Sequence, residues 1–148
     1  MKDQYSPVSD DEFLLRRVPA NFDYINHNLS VPVQRVAFEP HKKRDIDGLS
    51  VYRELFVFAK DVAAAGRSPA GYYVVRLRAQ DYRNLDLSLR PSPRLDDLPG
   101  HTLVPELNAA SMSNRADKEK SKALQRELAK LATKYTLLGP FPSNAQRY

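Results

Sequence analysis

Tyr72-Tyr73-Val74-Val75-Arg76-Leu77-Arg78 is the stretch whose reading decides the fold class. Its aromatic and β-branched side chains fit a pleated surface, so the run predicts a strand from the middle of a sheet. Ser68-Pro69-Ala70-Gly71 before it is a turn. After it, Ala79 to Leu85 reads as one or two helical turns and Leu87-Ser88-Leu89-Arg90 as another strand. Pro91, Pro93 and Pro99 then impose an extended loop, because proline cannot donate to a ladder. His101 to Leu107 is a last strand that Pro105 should push to an edge.

Toward the N-terminus, Asp47-Gly48 signals a turn, followed by a brief strand at Leu49–Tyr52. A helix over 53–65 should follow, with Gly66 ending it in the left-handed conformation. Val33 to Phe38, bounded by Pro32 and Pro40, predicts a strand. Ser9 and Glu12 have the spacing of a capping box, so Phe13-Leu14-Leu15 should make a short helix or ordered turn stopped by Pro19. These segments mix both periods, which gives an α+β fold: a small mixed or antiparallel sheet with short helices.

The pattern changes near residue 108. Leu124, Leu128, Leu131 and Tyr135 recur at steps of four, three and four, one stripe of an amphipathic helix over 113–135. Gly139-Pro140-Phe141-Pro142 should end the regular structure, leaving the last residues mobile. Charge divides at the same place. Residues 1–108 hold fifteen Lys and Arg against fifteen Asp and Glu, and residues 109–148 hold eight against three, the whole of the net +5. The expected organisation is a compact α+β domain over 1–108 and a basic amphipathic helix with an extended tail over 109–148.

Composition removes several classes of function. No run reaches the ~20 apolar residues a membrane helix needs, so no membrane partner is expected. The N-terminus lacks the apolar core of a secretory signal, and the expected location is the cytoplasm. With no cysteine, thiolate metal sites and thiol nucleophiles are excluded. His27, His41 and His101 have no ligand spacing, so no metal is expected, and no glycine-rich phosphate loop or dinucleotide fingerprint calls for a cofactor.

The candidate polar site is Arg16, Arg17, Asp47, Ser50 and His101. A guanidinium can clamp phosphate or carboxylate, although a lone Arg-Arg pair more often caps carbonyls or pairs with acids. Asp45, Asp47 and Ser50 frame the Gly48 turn, where carboxylates serve turn chemistry more often than catalysis. On the tail helix, Lys118, Lys122, Arg126, Lys130 and Lys134 form a candidate face for a partner or nucleic acid, unless the leucines simply pack on the domain.

Leu14-Leu15-Arg16-Arg17-Val18-Pro19, Val36-Ala37-Phe38-Glu39-Pro40, Asp47-Gly48-Leu49-Ser50-Val51, Tyr73-Val74-Val75-Arg76-Leu77 and Gly100-His101-Thr102-Leu103-Val104-Pro105 occur in that order. Over residues 13–107 the chain thereby resembles a family of small uncharacterised bacterial proteins. The resemblance implies a bacterial cytoplasmic origin and the boundary near 108, and it carries no activity and no catalytic residue. The leading expectation is a non-catalytic module that binds a protein partner. Nucleic-acid binding through the basic helix comes second. A small enzyme comes third, with Arg16 or Arg17 holding an anionic substrate and His101 with Asp47 moving a proton.

Overall fold

The computed structural model describes residues 3–144; Met1, Lys2 and the final residues, where a mobile end is expected, lie outside that range. Six strands, β1 (Phe13–Pro19), β2 (Leu49–Arg53), β3 (Tyr72–Arg78), β4 (Arg90–Pro91), β5 (His101–Val104) and β6 (Leu138–Phe141), form one sheet in the order β4-β5-β2-β1-β3-β6. Every neighbouring pair is antiparallel. Three helices, α1 (Ala59–Ala64), α2 (Ala79–Arg83) and α3 (Arg115–Thr133), complete an α+β fold with two 3-10 helices at Arg35–Phe38 and Ala109–Met112.

Alternate strand residues point to opposite sides, so a sheet covered on both sides is apolar in both registers. Leu14, Val18, Val51, Val75 and Leu77 fill the larger core together with Phe38, Tyr82 and Leu128. Leu15, Tyr52 and Val74 face a smaller core closed by Val62 and Ala63 of α1. This double cover explains the first correction. Phe13-Leu14-Leu15 is not a helix or turn but the start of β1, paired with β3 from Phe13↔Arg78 to Pro19↔Tyr72. A short apolar run has no period to distinguish the two states. The Ser9–Glu12 pairing exists, with Ser9 N donating to Glu12 Oε2 at 2.7 Å, but it closes a turn ahead of a strand.

Other boundaries shift for local reasons. Val33 makes an isolated bridge to Ile25, and Arg35–Phe38 coils into a 3-10 helix under α3 rather than a strand. The expected helix over 53–65 shrinks to α1 because β2 runs to Arg53 and Phe58 is still extended. Gly66 does not adopt a positive φ; a Cβ there would lie 2.2 Å from the Tyr72 ring, so close packing requires the glycine. Gly48 is the turn glycine, at φ 147, and its Cβ would sit 2.8 Å from Val104 O. Of 87–90 only Arg90 joins a strand. β5 lies inside the sheet between β4 and β2, and Pro105 falls past its end.

The C-terminal region joins the same body. Asn114 caps α3 by accepting from Asp117 N at 3.0 Å. Leu128, Ala129 and Ala132 are buried in the larger core, with Leu124 and Leu131 packed against it. The Gly-Pro-Phe segment does not end the regular structure but supplies β6, paired to β3 through Tyr72↔Phe141 and Val74↔Leu138.

Candidate functional site: a cleft where the sheet forks

β1 and β2 pair only through Leu14↔Arg53 and Leu15↔Tyr52, although both strands continue. Past that point the Arg16 side chain crosses the gap. Its Nη1 donates to Ser50 O at 2.9 Å, and its Nε donates to Ala37 O at 2.6 Å, tying the 3-10 helix to the fork. The opening is a cleft of about 490 Å³. Consecutive strand residues point to opposite faces, yet both Arg16 and Arg17 line this cleft, with Val36 and Ala37 from one side and Ser50 and Tyr52 from the other. A fork in the sheet allows that; a continuous ladder would not.

The lining also includes Arg44, Arg94, Glu39, Asp45, Asp97 and His41. Each acid already has a protein partner. Glu39 pairs with Arg35 at 2.9 Å, Asp45 Oδ2 accepts from His41 N at 2.6 Å, and Asp97 Oδ1 accepts from the Tyr52 hydroxyl at 2.8 Å. Among the described residues, no carboxylate lies within ion-pair distance of Arg16, Arg17, Arg44 or Arg94. Arg17 Nη1 makes a long bond of 3.3 Å to Val62 O, and its guanidinium sits 5.9 Å from the Tyr72 ring centroid. Burial lowers the Arg16 pKa, with nearby Asp45 opposing; a bound anion would favour the cation in the same way.

Ser50 and His101 form the second feature. β2 and β5 pair as Ser50↔Leu103 and Tyr52↔His101, which puts Ser50, Tyr52 and His101 on one face. His101 Nδ1 lies 2.8 Å from Ser92 O, a carbonyl that only accepts, so Nδ1 carries the proton in the neutral ring. Nε2 is then the acceptor for the Ser50 hydroxyl at 3.1 Å. The imidazole is buried behind Ser50, with the Tyr52 ring edge-on at 5.5 Å. Burial lowers the His101 pKa from 6.5, opposed by the Ser92 carbonyl bond, so the ring is a neutral base at pH 7. Burial also pushes the Tyr52 hydroxyl up to about 12, keeping it protonated and donating to Asp97.

The His101 shift has a consequence for stability. A depressed folded pKa means the unfolded state binds more protons, so stability rises with pH through that window. The contribution is complete above about pH 6.5 and is lost as pH falls toward the folded value. We expect the melting temperature of the wild type to drop between pH 7.5 and 5 more steeply than that of His101→Gln. Equal slopes in scanning calorimetry would show that His101 does not titrate differently on folding.

Of the residues singled out from the sequence, Arg16, Arg17 and Ser50 line the cleft and His101 stands directly behind Ser50. Asp47 is exposed and outside the lining; its neighbour Asp45 is the buried member of that turn. Lys118 and Lys122 line an adjoining groove, whereas Arg126, Lys130 and Lys134 are exposed elsewhere on α3, with Lys130 Nζ 3.3 Å from Glu127. Arg44, Arg94, Asp97 and Ser92 gave no signal in the sequence, since nothing marks which polar loop residues a fold will gather. Among the described residues there is no cluster of three metal-ligating side chains, and no helix is long and apolar enough to cross a membrane. The fold and site thus define an α+β protein with an arginine-lined cleft at a sheet fork. Comparison with protein-family models, curated proteins and solved structures gives no match to this chain.

Proposed function

We propose that the protein is a small enzyme acting on a phosphate-bearing anionic substrate in the fork cleft. The observation that carries this reading is the set of four arginines without carboxylate partners around a cavity whose wall presents a hydroxyl backed by an imidazole. A planar guanidinium fork can donate to two oxygens of a tetrahedral phosphate at once, and several lining one cavity suit a ligand with more than one negative charge. Pro19, Tyr24 and Val36 add an apolar wall suited to a ring system beside the charged groups.

In this reading Ser50 and His101 move one proton. A substrate hydroxyl or a water that donates to Ser50 Oγ passes its proton to the serine as the serine proton passes to His101 Nε2. The resulting imidazolium keeps its Nδ1 bond to Ser92 O; burial and Arg94 oppose its charge, and Asp97 and Asp45 favour it. The role first expected of Asp47 falls to Ser50. The protein-interaction reading loses its motive, because the leucine stripe of α3 packs on its own core.

The test is calorimetric titration of the full chain with inorganic pyrophosphate and with ADP. Saturable binding is expected, weakened about tenfold or more in Arg17→Ala, since hydrogen bonds to charged groups contribute roughly 1.5–3 kcal/mol. The variant should fold, because Arg17 has no carboxylate partner and gives up only a long bond to Val62 O and its contacts with the Tyr72 and Tyr52 side chains; its melting temperature checks this. Absence of binding by the wild type, or equal binding by the folded variant, would refute the proposal.

A further inference from the structure

We infer that the substrate is the end of a single-stranded nucleic acid, its terminal phosphate in the fork cleft and the adjoining phosphates in a lysine-lined groove beside it. The inference rests on the reading just given and names its substrate. The groove, about 560 Å³, is lined by Lys42, Lys43, Lys118, Lys122 and Met112, and it shares Glu39, Pro40 and His41 with the cleft. The two cavities therefore meet along one wall.

Two separate pieces of chain supply the lysines. Lys42 and Lys43 follow His41 in the turn closed by Asp45, where Asp45 N donates to His41 O at 2.9 Å. Lys118 and Lys122 are four apart on α3 and so lie on one helix face. Packing of α3 on the Arg35–Phe38 helix sets this face beside the turn. None of the four lysines has a carboxylate within ion-pair distance among the described residues, and the one acid in the wall, Glu39, is held by Arg35. On the same helix Lys130 is paired with Glu127. Lys120, Arg126 and Lys134 are also unpaired among the described residues, on other sides of α3, so the mark of the groove is the meeting of Lys118 and Lys122 with Lys42 and Lys43 beside the cleft.

A mononucleotide would satisfy the arginines and leave the lysines unused. A strand carries a phosphate on every residue and so continues from one cavity into the next. Flexible ammonium groups contact such a backbone without reading sequence. Tyr24 in the cleft and Met112 in the groove offer apolar surface to the faces of unstacked bases, which an acidic peptide would not use.

The experiment uses the full chain and fluorescence anisotropy with eight-residue, 5′-phosphorylated RNA and DNA of mixed sequence, with ADP and polyglutamate as competitors. We expect the oligonucleotides to bind at least about tenfold tighter than ADP, with affinity falling as salt rises by a log–log slope of about −0.7 per phosphate contact. Lys118→Ala/Lys122→Ala, at surface positions, should abolish that advantage and leave ADP affinity unchanged. A preference for RNA would assign an RNA end; parity with DNA would assign a strand read through its phosphates alone. Oligonucleotides binding no tighter than ADP, an unchanged double variant, or polyglutamate competing as well as the oligonucleotide would overturn the inference. In those cases ADP binding that depends on Arg17 leaves the cleft reading standing; loss of ADP binding as well removes both.

Discussion

Glu12→Ala is expected to destabilise the protein by about 3–5 kcal/mol, the range for breaking a buried ion pair from one side. Arg53 is wholly buried, and its Nε and Nη2 each donate to a Glu12 carboxylate oxygen at 2.8 Å. Its Nη1 donates to Ser6 O at 2.7 Å, and the guanidinium stacks 5.0 Å from the Phe56 ring centroid. Glu12 also accepts from Ser9 N. One pair therefore fastens residues 6–12 to the end of β2, and truncating the glutamate leaves a buried cation without a counter-charge, held only by neutral oxygens of residues 4–7. Urea unfolding of the variant measures the loss. The double variant Glu12→Ala/Arg53→Met should lose less than Arg53's stranded charge implies, because no charge is left unpaired. A loss below about 1 kcal/mol in the single variant would place the pair among weak surface bridges.

Leu128→Ala should cost about 2–5 kcal/mol, the range for truncating a buried leucine. Leu128 is fully buried in the larger core, where α3 meets the Arg35–Phe38 helix. Leu124, only partly buried on the same stripe, should tolerate alanine better. Thermal unfolding of both variants distinguishes an integral helix from a detachable one. A negligible shift for Leu128→Ala would mean that the helix leaves the core readily, as the protein-interaction reading requires. The same packing sets Lys118 and Lys122 beside the cleft, so the stability of α3 and the substrate groove are one question.

Much of the candidate site was visible as residue types but not as a constellation. Arg16-Arg17 and Ser50 stand on strands that are neighbours in space, and the sequence marks them only as polar interruptions of apolar runs. That two consecutive arginines reach one cavity depends on where the β1–β2 ladder stops, a matter of strand divergence with no local code. Asp47 looked equivalent to Asp45, since both flank the same turn. Burial separates them: Asp45 turns inward onto the backbone of His41, and Asp47 stays in water.

By itself the sequence determined the α+β class, the strand at Tyr72–Arg78 to the residue, the turn at Asp47-Gly48 and the amphipathic helix of the C-terminal region. Those features rest on local steric preference and on periodicity, which each segment carries within itself. Tertiary structure alone decided that Phe13–Pro19 is a central strand, that residues 138–141 complete the sheet, and that Ser50 meets His101 fifty-one residues away. A short segment takes its state from the surfaces that cover it, and a hydrogen bond across such a separation forms only once the sheet has brought its strands into register.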